Sequence, residues 1–210
     1  MIRRIALTGG IACGKSLAGA YLKKQGLPVI DADDVVHDLL RNDEALKSKI
    51  REAFGAEVFD ESGHVKRPAL GQQVFADPER RKLLESWIHP KTRQAMEAFY
   101  AQHGHQAAGV CIIPLLFESR LADRYDAVWL LDTPPAIQRQ RLITQRGMSE
   151  ADAMARIQNQ MSREEKRTLT QQHPGGHIID NVGDAASAET PEALYKQLDA
   201  LLKALPTAGE

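Results

Sequence analysis

The chain has 210 residues, with 27 Lys and Arg against 28 Asp and Glu, a formal net charge of −1 at pH 7. That length buries a sizeable core without a disulfide or metal staple, and the near-neutral balance argues against a nucleic-acid partner, which shows as a basic excess. No run approaches the ~20 apolar residues of a membrane span, Arg3 and Arg4 are not followed by an apolar signal core, and Cys13 and Cys111 lie in unlike contexts that suggest no disulfide; a soluble cytoplasmic protein is the expectation.

Residues 2–8 (IRRIALT) end apolar and run into glycines, which predicts a strand feeding a loop. The loop carries Gly9, four residues, then Gly14, Lys15 and Ser16, the spacing of a phosphate-binding loop. The segment that follows predicts a helix with Leu17, Tyr21 and Leu22 on one face and Gly26 as its C-terminal cap. A short strand is expected at 27–31 (LPVID). Residues 34–107 show no strand but several helical patterns, the clearest at 77–102, where Pro90 is expected to break or restart the helix. Further apolar strands are expected at 109–117 (GVCIIPLLF), 126–132 (DAVWLLD) and 177–180 (HIID). Strands that are apolar nearly throughout are buried on both faces, so the class is α/β, a parallel sheet with helices on each side. Residues 136–172 are polar, helical and rich in Gln and Arg, and read as a mobile lid; the tail 205–210 (LPTAGE) reads as disordered.

Glycines at the loop let backbone N–H groups turn inward around a phosphate. The helix behind it offers the positive end of its dipole. Lys15 would reach the β- and γ-phosphates and Ser16 would ligate Mg²⁺. Such a loop alone does not choose between a kinase, a switch GTPase and a motor. No guanine-reading NKxD motif appears, and an Arg-rich lid suits a small-molecule kinase, since it can close over ATP, exclude water and supply cations.

Asp31 and Asp33 stand two apart at the end of the second strand and share a face if the strand runs that far. Carboxylates there can take a proton from an attacking hydroxyl or hold a magnesium shell, because ligands sit at the carboxyl ends of such strands. Equally, Asp31, Asp33 and Asp34 are all good helix N-caps. Cys13 also carries two readings: a reactive thiol acidified by Lys15 and a helix N-terminus, alkylated quickly and protected by MgATP, or a small buried loop residue. The histidines show no metal-ligand spacing.

Taken together, LTGGIACGKS (7–16), VIDAD (29–33), FG (54–55), VKRPAL (65–70), VFADPE (74–79), LLESWIHP (83–90), PLLFE (114–118), RQRLITQR (139–146) and IIDN (178–181) resemble the dephospho-CoA kinase family, in that family's order and over most of the chain. The resemblance implies a P-loop NTPase three-layer sandwich around a five-stranded parallel sheet. It implies a nucleotide-binding core at 1–33, 108–135 and 173–205, a helical acceptor (CoA) subdomain at 34–107 and a lid at 136–172. The implied reaction moves the ATP γ-phosphate to the ribose 3′-hydroxyl of dephospho-CoA, with ATP and Mg²⁺ as cofactors, in a monomer or weak homo-oligomer.

By that resemblance Asp33 is the general base and Lys15 the other catalytic residue. ATP would lie on Gly9, Gly10, Ala12, Cys13, Gly14, Lys15, Ser16 and Leu17, with lid residues Arg141 and Arg146 at the phosphates and Asn181 near the adenine. Ser16 would ligate Mg²⁺ and Asp31 would orient it through water. The acceptor would meet Thr8, Asp33, Arg67, His89, Pro114 and Leu115. From the residues alone, Arg67 reads as a solvated arginine, His89 as a helix-boundary residue, and Pro114 and Leu115 as a strand end and core turn. The chain departs from the family's pattern at Ala12 (usually Gly), Cys13 (usually Ser), Leu17 (usually a hydroxyl residue), Lys66 (often Asp) and Gly176 (near a usual acidic residue). A kinase of another small hydroxyl acceptor and a nucleotide-sensing binding protein are the alternatives.

Overall fold

The computed structural model describes residues 2–183 and 191–205. Two compact units share the chain: Met1–Ile30 with Gln102–Glu210, and Asp31–Ala101.

The first unit is built on the sheet. Its strands are β1 (Arg3–Gly9), β2 (Val29–Asp31), β3 (Ala108–Ile112), β4 (Ala127–Asp132) and β5 (Gly176–Asp180), in the order β2-β3-β1-β4-β5. β1 pairs in parallel with β3 and β4, and β4 in parallel with β5. Every residue of β3 and β4 is buried, whereas the edge strands β2 and β5 are mostly half-buried or exposed. The continuous apolar pattern therefore marks the sheet's centre and fades at its edges. On one face α1 (Lys15–Lys24) and α9 (Glu192–Lys203) bring Ala18, Leu22, Leu194 and Leu198 into one core with Ile5, Leu7, Val110 and Trp129. Tyr21 stacks on Tyr195 at 3.9 Å and donates to Asp199 at 2.7 Å, fixing α1 against α9. α8 (Arg163–Gln172) packs on β4 and β5, and α6 (Pro135–Arg146) packs on α7 (Glu150–Gln158).

Four expectations change. The run 109–117 is a strand only to Ile112, because Pro114 has no N–H to continue a ladder; Leu116 and Phe117 fill the core from turns instead. The buried face of α1 is Ala18, Gly19 and Leu22, while Leu17 is 40% exposed. A side chain at Gly19 would meet Ile112 Cδ1 at 2.5 Å, so the small residues face the sheet and Leu17 turns away. β2 stops at Asp31, whose carboxylate accepts the Asp33 N–H at 2.9 Å and caps α2 (Ala32–Asn42). Asp33 therefore stands in the first turn of a helix, not two places along a strand.

The fourth change lies in the second unit, whose helices after α2 are α3 (Glu44–Phe54), α4 (Arg67–Ala76) and α5 (Pro78–Gln102). α5 runs through Pro90 without a break. Pro90 is on an exposed side, and Leu84 and Ile88 before it and Met96 and Phe99 after it are buried, so packing holds both halves in one helix. This unit has its own core of Leu46, Ile50, Phe54, Val58, Leu70 and Ile88, with Trp87 edge-on to Phe54. The stretch 136–172 is three helices, α6 to α8. The expectation for the tail lies outside the described residues from 206 onward.

Candidate functional site

The loop between β1 and α1 begins at the central strand's carboxyl end. Gly9 (φ 151°) and Gly14 (φ 90°) take backbone conformations that side chains disfavour. Ala12 takes φ 57°, so an alanine occupies a left-handed position at a cost of about 1–2 kcal/mol. Gly14 is the N-cap of α1 and no side chain caps that end, which leaves the helix's first turn open toward an anion. Lys15 Nζ folds back onto the carbonyls of Gly9 and Gly10, each at 2.8 Å. Ser16 and Leu17 are exposed at the helix start.

The loop is held from outside by four side chains. Gln160, just after α7, accepts the Ile11 N–H at 2.8 Å, and Gln138 on α6 donates to the Ile11 carbonyl at 2.7 Å. Gln138 lies so close that a methyl group on Gly10 would come within 2.5 Å of its amide nitrogen. Asn181, after β5, donates to the Cys13 carbonyl at 2.9 Å and occupies the place of any side chain at Gly14. Arg141 is buried on α6 and donates to the carbonyls of Ala12 (3.0 Å), Asn181 (3.2 Å) and Gly183 (3.0 Å). Burial pulls its guanidinium below the usual arginine range.

Next to the loop, a cavity of about 270 Å³ is walled by Gly10, Cys13, Asp132, Gln138, Gln160 and Arg163, among others. Asp132, the last residue of β4, is 3% exposed and accepts from Arg163 Nε and NH2, each at 2.7 Å, and from Arg167. Burial raises its carboxyl, but the hydrogen bonds and charges of Arg163 and Arg167 outweigh that and hold it below the usual carboxylate range. Lys166 is buried beside them, its Nζ 3.1 Å from Glu118 but at an angle short of a hydrogen bond. Among the described residues no group of three or more His, Cys, Asp or Glu could hold a metal on its own.

The structure thus brings together the loop residues, Arg141 and Asn181. Arg146, the last residue of α6, is exposed and outside the cavity walls. Thr8 is fully buried with its hydroxyl unpartnered. Asp33, Arg67 and His89 are exposed on the helical unit, Leu115 is 46% exposed and Pro114 half-buried. Asp31 is half-buried, and burial followed by the charges of Asp33 and Asp34 pushes its carboxyl up. Cys13 is 2% exposed; burial raises its thiol more than Thr133 and Lys15 lower it. The reactive-thiol expectation is corrected: the thiol is buried, and desolvation outweighs the lowering by Thr133, Lys15 and Lys166.

Sequence reasoning passed over Asp132, Gln138, Gln160 and Arg163. Asp132 was open to the rule applied to Asp31, a carboxylate at a strand's carboxyl end. Ser162 with Glu165 is a capping box that marks the start of α8 one residue before Arg163. The two glutamines give no such signal, because their partners are backbone groups more than a hundred residues away.

A family model described as dephospho-CoA kinase matches residues 3–186. A dephospho-CoA kinase of Synechococcus sp. (strain CC9605) is 39% identical over 207 residues, covering 98% of this chain and 95% of its own. One from Shouchella clausii is 39% identical over 204 residues, covering 95% and 98%. Among solved structures, a Thermus thermophilus protein superposes with TM-score 0.81 at 30% identity over 98% of both chains. A dephospho-CoA kinase from Campylobacter jejuni gives 0.68 at 25% identity over 97% of this chain and 99% of its own.

Proposed function

The chain belongs to the dephospho-CoA kinase family, and from that premise we propose how its residues divide the transfer of the ATP γ-phosphate to the ribose 3′-hydroxyl of dephospho-CoA, the last step of coenzyme A biosynthesis. The enzyme is an ATP-dependent phosphotransferase. The observation that carries the assignment of roles is the glycine loop at the end of β1, with an uncapped helix behind it and Lys15 reaching over its carbonyls.

In this reading the loop amides and Lys15 bind the ATP phosphates, and Lys15 moves from the Gly9 and Gly10 carbonyls to the transferring group. Ser16 is exposed at the helix start and fits a ligand of nucleotide-bound Mg²⁺, with Asp31 acting through water. When bound, the ion neutralises charge that develops on the phosphates. Asp33 takes the proton of the 3′-hydroxyl, a positioned-base contribution of about 10²–10⁴-fold. Asn181 and Arg141 keep the loop in shape beside the nucleoside. Arg163 and Lys166 are the lid cations in the cavity wall, with Arg167 bound to Asp132 behind them, and they join Arg146 in supplying positive charge toward the phosphates. Thr8, Arg67, His89, Pro114 and Leu115 contact the acceptor. Among the described residues no helix is long and apolar enough to cross a membrane; work in the cytoplasm, as a monomer or weak homo-oligomer, is what the family resemblance implies.

The test is ADP release from MgATP with and without dephospho-CoA, for the native chain and Asp33→Asn. Strong stimulation by dephospho-CoA that falls ~10²-fold or more in the variant is expected. Undiminished stimulation in Asp33→Asn overturns the base assignment.

A further inference from the structure

Lys166 on α8 is the one buried lysine among the described residues, 3% exposed. Its Nζ makes no hydrogen bond there. An ammonium carries three donors, and leaving them unused away from water is costly. Its charge partner among the described residues is Glu118, whose Oε1 lies 3.1 Å from Nζ. Lys166 also stands in the wall of the cavity that Gly10 and Cys13 of the phosphate loop help to form. Its charge reaches that loop: burial raises the Cys13 thiol most, and Lys166 is among the groups that pull against it.

Glu118 stands on a firmer footing. It belongs to the turn 114–120 after β3, together with Pro114 and Leu115. The turn is anchored from below by Leu116, fully buried, and Phe117, 7% exposed. Within it the Ser119 N–H donates to the Leu115 carbonyl at 2.9 Å, and the Leu121 N–H to the Leu116 carbonyl at 3.0 Å. Arg120 is held at φ 53°, a left-handed conformation that persists where the surroundings over-determine it. From this turn the Glu118 Oε1 that faces Lys166 also accepts the Met161 N–H at 3.2 Å. Met161 follows Gln160, which accepts the Ile11 N–H of the phosphate loop. One carboxylate therefore meets the lid at two points, beside the residues assigned to the acceptor.

We propose that Glu118 is a positioning residue for phosphoryl transfer: from the acceptor turn it holds the Lys166 ammonium at the cavity wall, so that this cation meets the transferring group already in place. A lysine is a point charge on a flexible four-carbon stem, so its position has to be supplied by a neighbour. Charge fixed beforehand costs no reorganisation at the moment of reaction. The carboxylate takes one side of the ammonium and leaves its other donors for phosphate oxygens. The proposal rests on Lys166 being a lid cation that faces the phosphates.

The test uses the full chain, with single-turnover ADP formation at saturating MgATP and enzyme in excess over dephospho-CoA. Steady-state KM values and the thermal midpoint are measured beside it. Glu118→Gln keeps an acceptor for the Met161 N–H and removes the charge beside Lys166. Glu118→Asp keeps the charge, which protects the fold, but draws it back by one methylene. A carboxylate that only neutralises a buried ammonium tolerates the aspartate; one that sets its position does not. Both variants should slow the single turnover ~10-fold or more, with both KM values within about threefold of native. In a Lys166→Met background, Glu118→Gln should slow it no further, because Glu118 acts through the lysine.

A native rate in Glu118→Asp, or a loss confined to the thermal midpoint, overturns the positioning role. Losses that multiply in the double variant overturn its action through Lys166. If Lys166→Met keeps the native rate, the reading of that lysine falls and takes the proposal with it. A slow Lys166→Met beside Glu118 variants of native rate removes the proposal alone.

Discussion

Asp132 grips Arg163 with two hydrogen bonds of 2.7 Å, one to Nε and one to NH2, from the end of a buried strand. The fork ties the first turn of α8 to the sheet, and Arg167 one turn later closes on the same carboxylate. Two cations are thereby kept beside the phosphate loop in a fixed orientation, which costs less at the moment of phosphoryl transfer than recruiting them from solvent.

Asp132→Asn should therefore lower both thermal stability and kcat/KM. A double-mutant cycle with Arg163→Gln should return a coupling of about 0.5–3 kcal/mol. The pH dependence has a definite sign. The folded carboxyl is held below its ordinary value, so its stabilisation is complete above the unfolded value near ~3.9 and is lost as pH falls through the lower folded one. Acid unfolding of the native chain should include this loss, and the asparagine variant should lack it; parallel curves would refute the linkage.

The glutamine clamp predicts a specific suppression. Gly10→Ala should weaken MgATP binding, because its methyl group meets the Gln138 amide. Gln138→Ala should restore binding in that background by making room. If the double variant is no better than Gly10→Ala alone, the contact is not what holds the position open.

Gln160→Leu removes the acceptor of the Ile11 N–H. One hydrogen bond is worth about 0.5–1.5 kcal/mol, so the KM for MgATP should rise roughly two- to tenfold. Gln160→Glu keeps an acceptor but adds a negative charge where phosphate binds, and should be worse than leucine. Steady-state kinetics on both variants decides this by their order.

Cys13 should be slow toward a thiol reagent in the native state, at a rate set by opening of the structure, with Cys111 behaving alike since both are buried. Rapid single-site labelling without denaturant would contradict the buried, raised thiol.

Ala12→Gly relieves a left-handed alanine, a gain of ~1–2 kcal/mol, against a loss of ~0.5–1 kcal/mol in unfolded-chain entropy. A small rise in Tm is expected by calorimetry; a fall would show that the methyl group packs usefully.

Local rules acting over a few residues were legible in the sequence. The strand–loop–helix around Gly9 to Ser16, the parallel sheet, the helical stretch 34–107 and the cap at Gly26 follow from spacing and apolar continuity, because each depends on neighbours along the chain. The family pattern added the reaction. What the tertiary structure decided depends on distant partners. It set the length of β3, where Pro114 ends the ladder but the apolar run continues into the core. It turned Leu17 outward, because Ile112 needs the space over Gly19. It carried α5 through Pro90, where packing on both sides outweighs one missing N–H. It buried Cys13 beneath Gln138, so that desolvation outweighs the pull of Lys15 on its thiol. Above all it joined Ile11 to Gln138 and Gln160, and Asp132 to Arg163 and Arg167: a polar side chain announces that it needs a partner, but only the folded chain brings one within reach.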